Sequence, residues 1–318
     1  MANAELHVGQ LLARPGEKVF GLVEVDAGGH AVRLPVFLIN GQAAGPTLVM
    51  TGGIHAAEYA SIAAALDAGQ TLDPQELAGR AIIVPVVNVP GFRVRSIYVC
   101  PLDGKNPNRF FPGNAAGSPT EQLAGWVFQN VISQANYYMD LHGGDMIEAL
   151  VPFTLFYRSG NAGLDRKSQE LAQVFGIPLL VGSETVGSTY SAAARAGIPA
   201  ILSEAGGQGI WTAENVRLHR EGISRVMRHL GMLAGPAPET VTHRLLERFL
   251  WLYSEHEAFW YPDTGVGQDV RAGQALGQVR DYEGHVLQTA LAPADGRVLF
   301  LVSSLAINKR DPLLAVGA

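Results

Sequence analysis

Apolar residues in this chain come in short runs, and the runs alternate with amphipathic stretches over most of its length. Residues 18–26 and 31–39 read as two strands around the turn Ala27-Gly28-Gly29-His30, a predicted hairpin. Thr47-Leu48-Val49-Met50 is apolar throughout, so a buried strand is predicted over 47–51. Gly52-Gly53 follows and allows a sharp turn. Alanine-rich helical spacing then predicts a helix from near Ala57 to about Ala68. A further strand is predicted over 81–87, ending at Asn88, with Pro85 as its weak point. Residues 89–119 are rich in Gly, Pro and Asn, but Phe92, Tyr98, Phe110 and Phe111 are interleaved among them. So long a segment inside a domain predicts a folded, functional loop. Ser118-Pro119-Thr120-Glu121 caps a helix that runs to about Ser133. Beyond it, strands are predicted over 137–141, 152–157, 177–181 and 198–202, and helices over 163–175, 189–196 and 213–233.

This alternation predicts an α/β class, with a mixed, mostly parallel central sheet and helices on both faces. In such folds ligands bind outside the carboxyl ends of the strands. His55, Asn88, His142 and Glu204 each follow a predicted strand, a coincidence that scattered polar residues would have no reason to share. Gly235-Pro236-Ala237-Pro238 reads as a linker, which divides the chain into domains 1–238 and 239–318. The second holds short apolar runs broken by glycine and predicts a small all-β domain. It is similar to the barrel-sandwich fold of biotinyl and lipoyl carriers. A carrier role is rejected, because Asp281-Tyr282-Glu283-Gly284-His285 has no lysine to modify and Lys309 lies outside any such hairpin.

Composition narrows the class. An apolar content of 47% with 16% charged residues fits a soluble globular protein. The net charge of −6 and the absence of a basic block give no reason to expect nucleic acid. The amino terminus lacks the features of a signal peptide, and no apolar run is long enough to span a bilayer. The single cysteine, Cys100, excludes an intrachain disulfide and reads as a packing residue. A cytoplasmic, membrane-free protein is expected.

The candidate chemistry begins with His55 and Glu58, three residues apart, which one helical turn could aim at a common centre. An imidazole and a carboxylate so held suit zinc, and a third ligand should come from another strand. His142, in Asp140-Leu141-His142-Gly143-Gly144, is the best placed. The other histidines lie in tails, predicted helices or the second domain. The plainer reading of His142 is a satisfied core histidine. Asp140 lies on the same side of the strand and could orient a ligand. Two histidines and a carboxylate leave one coordination position for water, whose pKa zinc lowers to about 7. Glu204, at a strand end among small residues, is the candidate general base; a salt-bridged surface glutamate is the alternative. Asn108 and Arg109 form a candidate carboxylate clamp. Arg95 could serve the oxyanion, with Arg93 in competition, and a solvated loop arginine is the plain reading of each.

Five segments together resemble the succinylglutamate desuccinylase/aspartoacylase family, which is related to zinc carboxypeptidases. They are Gly53-Ile54-His55-Ala56-Ala57-Glu58, residues 88–95, residues 103–113 (Asp-Gly-Lys-Asn-Pro-Asn-Arg-Phe-Phe-Pro-Gly), Asp140 to Gly144, and Glu204-Ala205-Gly206-Gly207. The match covers roughly residues 45–235, and its pattern is most similar to the N-acetyl-diaminobutyrate deacetylase-like branch. The resemblance implies a zinc-carboxypeptidase-like fold and one zinc per chain, held by His55, Glu58 and His142. It also implies Glu204 as general base and acid, with Asn108 and Arg109 binding the carboxylate or polar head of an N-acyl amino acid. The expected activity is zinc-dependent hydrolysis of a linear amide in a small N-acyl amino acid or amine. A carboxypeptidase-like peptidase and a non-catalytic binder are the alternatives, and a homo-oligomer is compatible with all three. Two positions depart from the family pattern: Ala56 stands where glycine is usual and Pro107 where leucine is usual.

Overall fold

The computed structural model describes residues 3–318. Nine strands form the central sheet. Their spatial order is Arg244–Leu246, Leu179–Ser183, Phe153–Tyr157, Ala200–Glu204, Tyr137–His142, Ala43–Gly52, Ala78–Val84, His30–Asn40 and Glu17–Ala27. Five of the eight neighbouring pairs are parallel. The remaining three are antiparallel, among them the expected hairpin of Glu17–Ala27 with His30–Asn40. The sheet is therefore mixed and mostly parallel, as the alternation of elements predicts.

Both faces of the sheet are covered, and that is why its central strands read as continuous apolar runs. Alternation sends Val49 and Tyr138 to one face, where Leu123, Val127 and Ala193 of helices Pro119–Asn130 and Thr189–Arg195 meet them. Leu48, Met50, Met139 and Leu141 point to the other face. There they pack on helices Tyr59–Thr71, Ala162–Phe175 and Ala213–His229 through Ala65, Ala68, Phe175 and Val226. Burying each of these large aliphatic side chains is worth about 1.5–3 kcal/mol relative to leaving it in water. No helix among the described residues is long and apolar enough to cross a membrane.

Two boundaries differ from expectation in ways that matter for the site. The helix predicted from Ala57 begins at Tyr59, so His55 lies in a turn ahead of it. The strand predicted over 81–87 ends at Val84, because Pro85 has no N–H to offer the ladder. The long segment 89–119 is folded, as its aromatic residues suggested. It contains a short helix, Val89–Val94, and a 3-10 turn, Pro107–Arg109.

After residue 238 the chain first returns to the central sheet, where Arg244–Leu246 lies parallel to Leu179–Ser183. It then builds two antiparallel sheets around Trp260, Leu276, Val279 and Leu314. Trp260 is buried and its Nε1 donates to the Val302 carbonyl at 3.1 Å. In the opposite direction, Glu148–Leu150 leaves the first part of the chain and pairs antiparallel with Gly296–Val302.

The turn after Ala43–Gly52 depends on Gly53. Its φ is +60°, and a Cβ there would lie 3.1 Å from both Ile62 Cδ1 and Val86 Cα. Left-handed backbone at a side-chain-bearing residue costs about 1–3 kcal/mol. Gly53→Ala should therefore lose about that much stability, read by denaturant unfolding beside the parent. An unchanged midpoint would show that the turn does not need this conformation.

Candidate active site

Three neighbouring strands end at one rim of the sheet. Glu204 stands opposite His142 in the pairing of their strands, and Leu141 stands opposite Gly52. The Gly52-Gly53 turn then delivers His55 and Glu58 to the same rim. Glu58 occupies the cap position of helix Tyr59–Thr71, so a turn, not one helix face, brings the pair together. The Glu58 carboxylate lies between two imidazoles, with Oε1 2.7 Å from His55 Nδ1 and Oε2 2.8 Å from His142 Nδ1. The two rings stand edge to face, 5.0 Å between centroids. One ligand atom from each of the three residues lies within 4.8 Å of the others, a group that could hold a metal ion.

The outer nitrogens of both rings are spoken for. His142 Nε2 lies 2.8 Å from Asp140 Oδ2. Asp140 in turn accepts hydrogen bonds from the hydroxyls of Thr51 and Thr189. His55 Nε2 lies 2.9 Å from Asn106 Oδ1, an oxygen that also accepts the Asn108 amide at 2.9 Å. An acceptor at each Nε2 holds the proton there and turns both Nδ1 lone pairs inward. Asp140 was legible from its alternation with His142. Asn106 was not given this role by sequence reasoning; its only signal was membership of the matching loop segment.

Charge follows the same arrangement. Burial alone would raise the Glu58 pKa, but His142 and His55 outweigh it and hold the carboxyl at about 2. His142 is raised well above its ordinary value by Asp140 and Glu58, against the opposing effect of burial. Glu204 is raised well above its ordinary value by burial first and by the Glu58 charge second. Its Oε2 is buried without a hydrogen-bond partner. A buried polar atom left unpaired beside two imidazoles and a carboxylate fits a site built for a cation and a water molecule.

The other expected residues divide. Asn108 and Arg109 line a cavity of about 480 Å³ together with His55, Glu58, His142 and Glu204. Asn108 Oδ1 accepts the Thr189 amide at 3.0 Å, which leaves its NH₂ as the available donor. Pro107 opens the 3-10 turn ahead of the pair, a position where a missing N–H costs nothing. Ala56 has no left-handed backbone and is buried, so the turn accepts its methyl. Asn88 donates its amide to the Gly53 carbonyl at 2.9 Å but does not line the cavity. It caps helix Val89–Val94 by accepting the Gly91 amide at 3.0 Å, because Pro85 ended the strand early. Arg95 caps the far end of that helix, exposed and outside the cavity wall, and Arg93 lines a separate surface depression. The arginines of the cavity wall are Arg109 and Arg310, and Arg95 and Arg93 are not among its lining residues.

Part of the remaining wall comes from the tail. Phe249, Trp251, Tyr253 and Phe300 face the cavity, as do Tyr98 and Glu148. Phe249–Tyr253 is a strand, and nothing local in its sequence says what its aromatic residues meet. Gly143 and Gly144 allow close backbone approach, and Gly143 also lines the cavity. A Cβ on Gly143 would lie 2.4 Å from the Ala205 carbonyl, and Gly144 N donates to Gly206 O at 2.8 Å.

Comparison with known proteins gives a consistent picture. The succinylglutamate desuccinylase/aspartoacylase catalytic domain matches residues 44–230. The N-alpha-acetyl-L-2,4-diaminobutyric acid deacetylase of Halomonas elongata is 29% identical over 276 residues, 84% of this chain and 78% of that protein. A succinylglutamate desuccinylase/aspartoacylase crystal structure from Rhodobacter sphaeroides is similar at a TM-score of 0.83, with 26% identity over 94% of each chain. The product-bound ectoine utilization protein of Ruegeria pomeroyi reaches a TM-score of 0.86, with 25% identity over 96% of each chain.

Glu148 gives the site a testable pH signature. Burial, reinforced by the Asp145 and Glu58 charges, raises its pKa from 4.5 to about 8. The folded form thus binds the proton more tightly than the unfolded chain. Its contribution to stability is full below about 4.5 and is lost as pH rises through about 8. In metal-free protein, Glu148→Gln should flatten the decline of melting temperature across that window. Parallel pH profiles for variant and parent would contradict the shift.

Proposed function

Because the chain belongs to the succinylglutamate desuccinylase/aspartoacylase family, we propose that it hydrolyses the amide bond of a small N-acyl amino acid, with zinc held by His55, Glu58 and His142. The observation that carries this reading is the inward pair of Nδ1 atoms flanking the Glu58 carboxylate, each ring fixed from behind by Asp140 or Asn106. Imidazole and carboxylate donors in this combination suit zinc. When bound, zinc supplies a Lewis acid that eases deprotonation of water and polarises the acyl carbonyl.

The chain's own residues do the rest. Glu204, lifted in pKa and with Oε2 unpaired, takes a proton from the attacking water and passes it to the leaving amine. Asn108 and Arg109 hold the carboxylate of the amino-acid half, the guanidinium as a planar fork and the amide as a neutral donor. The tail rings line one side of the cavity and limit what can enter. That enclosure favours a small substrate over a peptide chain, which needs an open groove. The relative from Halomonas elongata is named for an acetylated amino acid, a substrate of this size.

Glu204→Gln should keep zinc and lose turnover of N-acyl amino acids by about 10²–10⁴-fold, read as free amine released beside metal content. Turnover at the parental rate would remove Glu204 from the mechanism. A parent that binds zinc yet releases no amine from any N-acyl amino acid would favour a non-catalytic binder, and faster cleavage of short peptides a peptidase. Asp140→Asn should weaken zinc binding by about 10–100-fold, measured by competition with a chromogenic chelator.

A further inference from the structure

Thr189 opens the helix Thr189–Arg195 and is fully buried. Its amide donates to Asn108 Oδ1 at 3.0 Å, and its hydroxyl donates to Asp140 Oδ2. That Asp140 oxygen also lies 2.8 Å from His142 Nε2. On the other side, the Asn108 amide donates to Asn106 Oδ1 at 2.9 Å, the oxygen that faces His55 Nε2 at 2.9 Å. Hydrogen bonds therefore run unbroken from one imidazole to the other through Asp140, Thr189, Asn108 and Asn106. The Glu58 carboxylate closes the ring from the front.

The middle of this chain is stiff and dry. Ser188 and Ser191 cap the helix start reciprocally, and the Phe111 amide donates to the Gly187 carbonyl at 2.9 Å. Residues 187–189 are thus tied to the loop that carries Asn108 and Arg109. Thr189, Asp140 and Asn108 are all buried, so bulk water does not replace a broken link. Thr51 makes a useful contrast. It too donates to Asp140, at 2.7 Å, but its other side-chain partner is the Tyr138 hydroxyl and not the clamp. Two threonines serve the aspartate, and only Thr189 also holds the side chain of Asn108.

Resting on the zinc-hydrolase reading above, we propose that Thr189 is a positioning residue that couples the carboxylate clamp to the metal site, so that an occupied clamp tightens zinc. A carboxylate received by the Asn108 NH₂ polarises that amide and strengthens the hydrogen bond its Oδ1 accepts from Thr189. The threonine hydroxyl is then held on Asp140, and Asp140 holds His142 turned toward the metal. The coupling is reciprocal, and bound zinc tightens the clamp by the same factor.

The test measures zinc affinity of the full-length protein by chelator competition, alone and with saturating butyrate, a carboxylate that carries no amide to hydrolyse. Butyrate should tighten zinc in the parent by about fivefold or more. Thr189→Val keeps the amide and the shape but not the hydroxyl. It should weaken zinc about tenfold and cut the butyrate effect to below about twofold. Thr189→Ser should restore both. Thr51→Val should weaken zinc yet keep the butyrate effect, which separates loss of a donor to Asp140 from loss of the link. Without carboxylate, Thr189→Val and Asn108→Ala should be non-additive in zinc affinity, because each breaks the same chain. Parental zinc affinity in Thr189→Val, a parent that butyrate leaves unchanged, or an additive cycle would overturn the proposal. So would a butyrate effect that survives Thr189→Val, which would mean direct ligation of the metal. Near-ultraviolet circular dichroism of each variant, with the serine rescue, guards against loss of fold as the cause. A parent that shows the linkage but hydrolyses no N-acyl amino acid fails the hydrolase reading alone. One that holds no zinc fails both.

Discussion

A single buried carboxylate, Glu58, joins the imidazoles of His55 and His142, which lie far apart in the sequence. Removing three ionisable groups from water is costly, and the cost is met only because each has a partner on both sides. Glu58 has two rings and the Gly143 amide, His142 has Asp140 behind it, and His55 has Asn106. The Gly52-Gly53 turn, the register that sets Glu204 against His142, and the Asn106-Pro107 turn are all conditions for that one contact. Disturbing any of them leaves a buried charge unmatched.

The sequence made the rim visible because it is built from local rules. Apolar runs buried on both sides give strands, and the polar residue that closes such a strand falls at the rim. His142 and Glu204 follow that rule. Asn88 differs because Pro85 ends its strand at Val84 and its side chain turns to cap the helix that follows, an effect that could not be weighed without the partner strand. The placement of Arg95 away from the cavity wall has a related cause. A short helix inside a Gly- and Pro-rich segment turned it to solvent, and six residues carry too weak a periodicity to announce a helix.

What stayed hidden was non-local. Asn106 supports His55 across 51 positions of sequence, and the four cavity rings come from strands that begin over a hundred residues after His142. Glu148 sits between apolar neighbours in a segment with no motif, and only its pairing with the tail gives it a place. Patterning reports which face of an element is buried, not which element buries it.

The exchange of strands between the two halves of the chain has a mechanical meaning. Arg244–Leu246 extends the large sheet, while Glu148–Leu150 extends one of the small ones. Each half thus completes its hydrogen-bonded edge with a piece of the other, like clasped hands. Separating them would expose an unpaired edge on both sides, so the molecule should melt as one cooperative body and fragments cut at the proline-rich link should be prone to aggregate. Folding itself then becomes the checkpoint for the reaction chamber, since the chamber closes only when the last strands of the chain have docked.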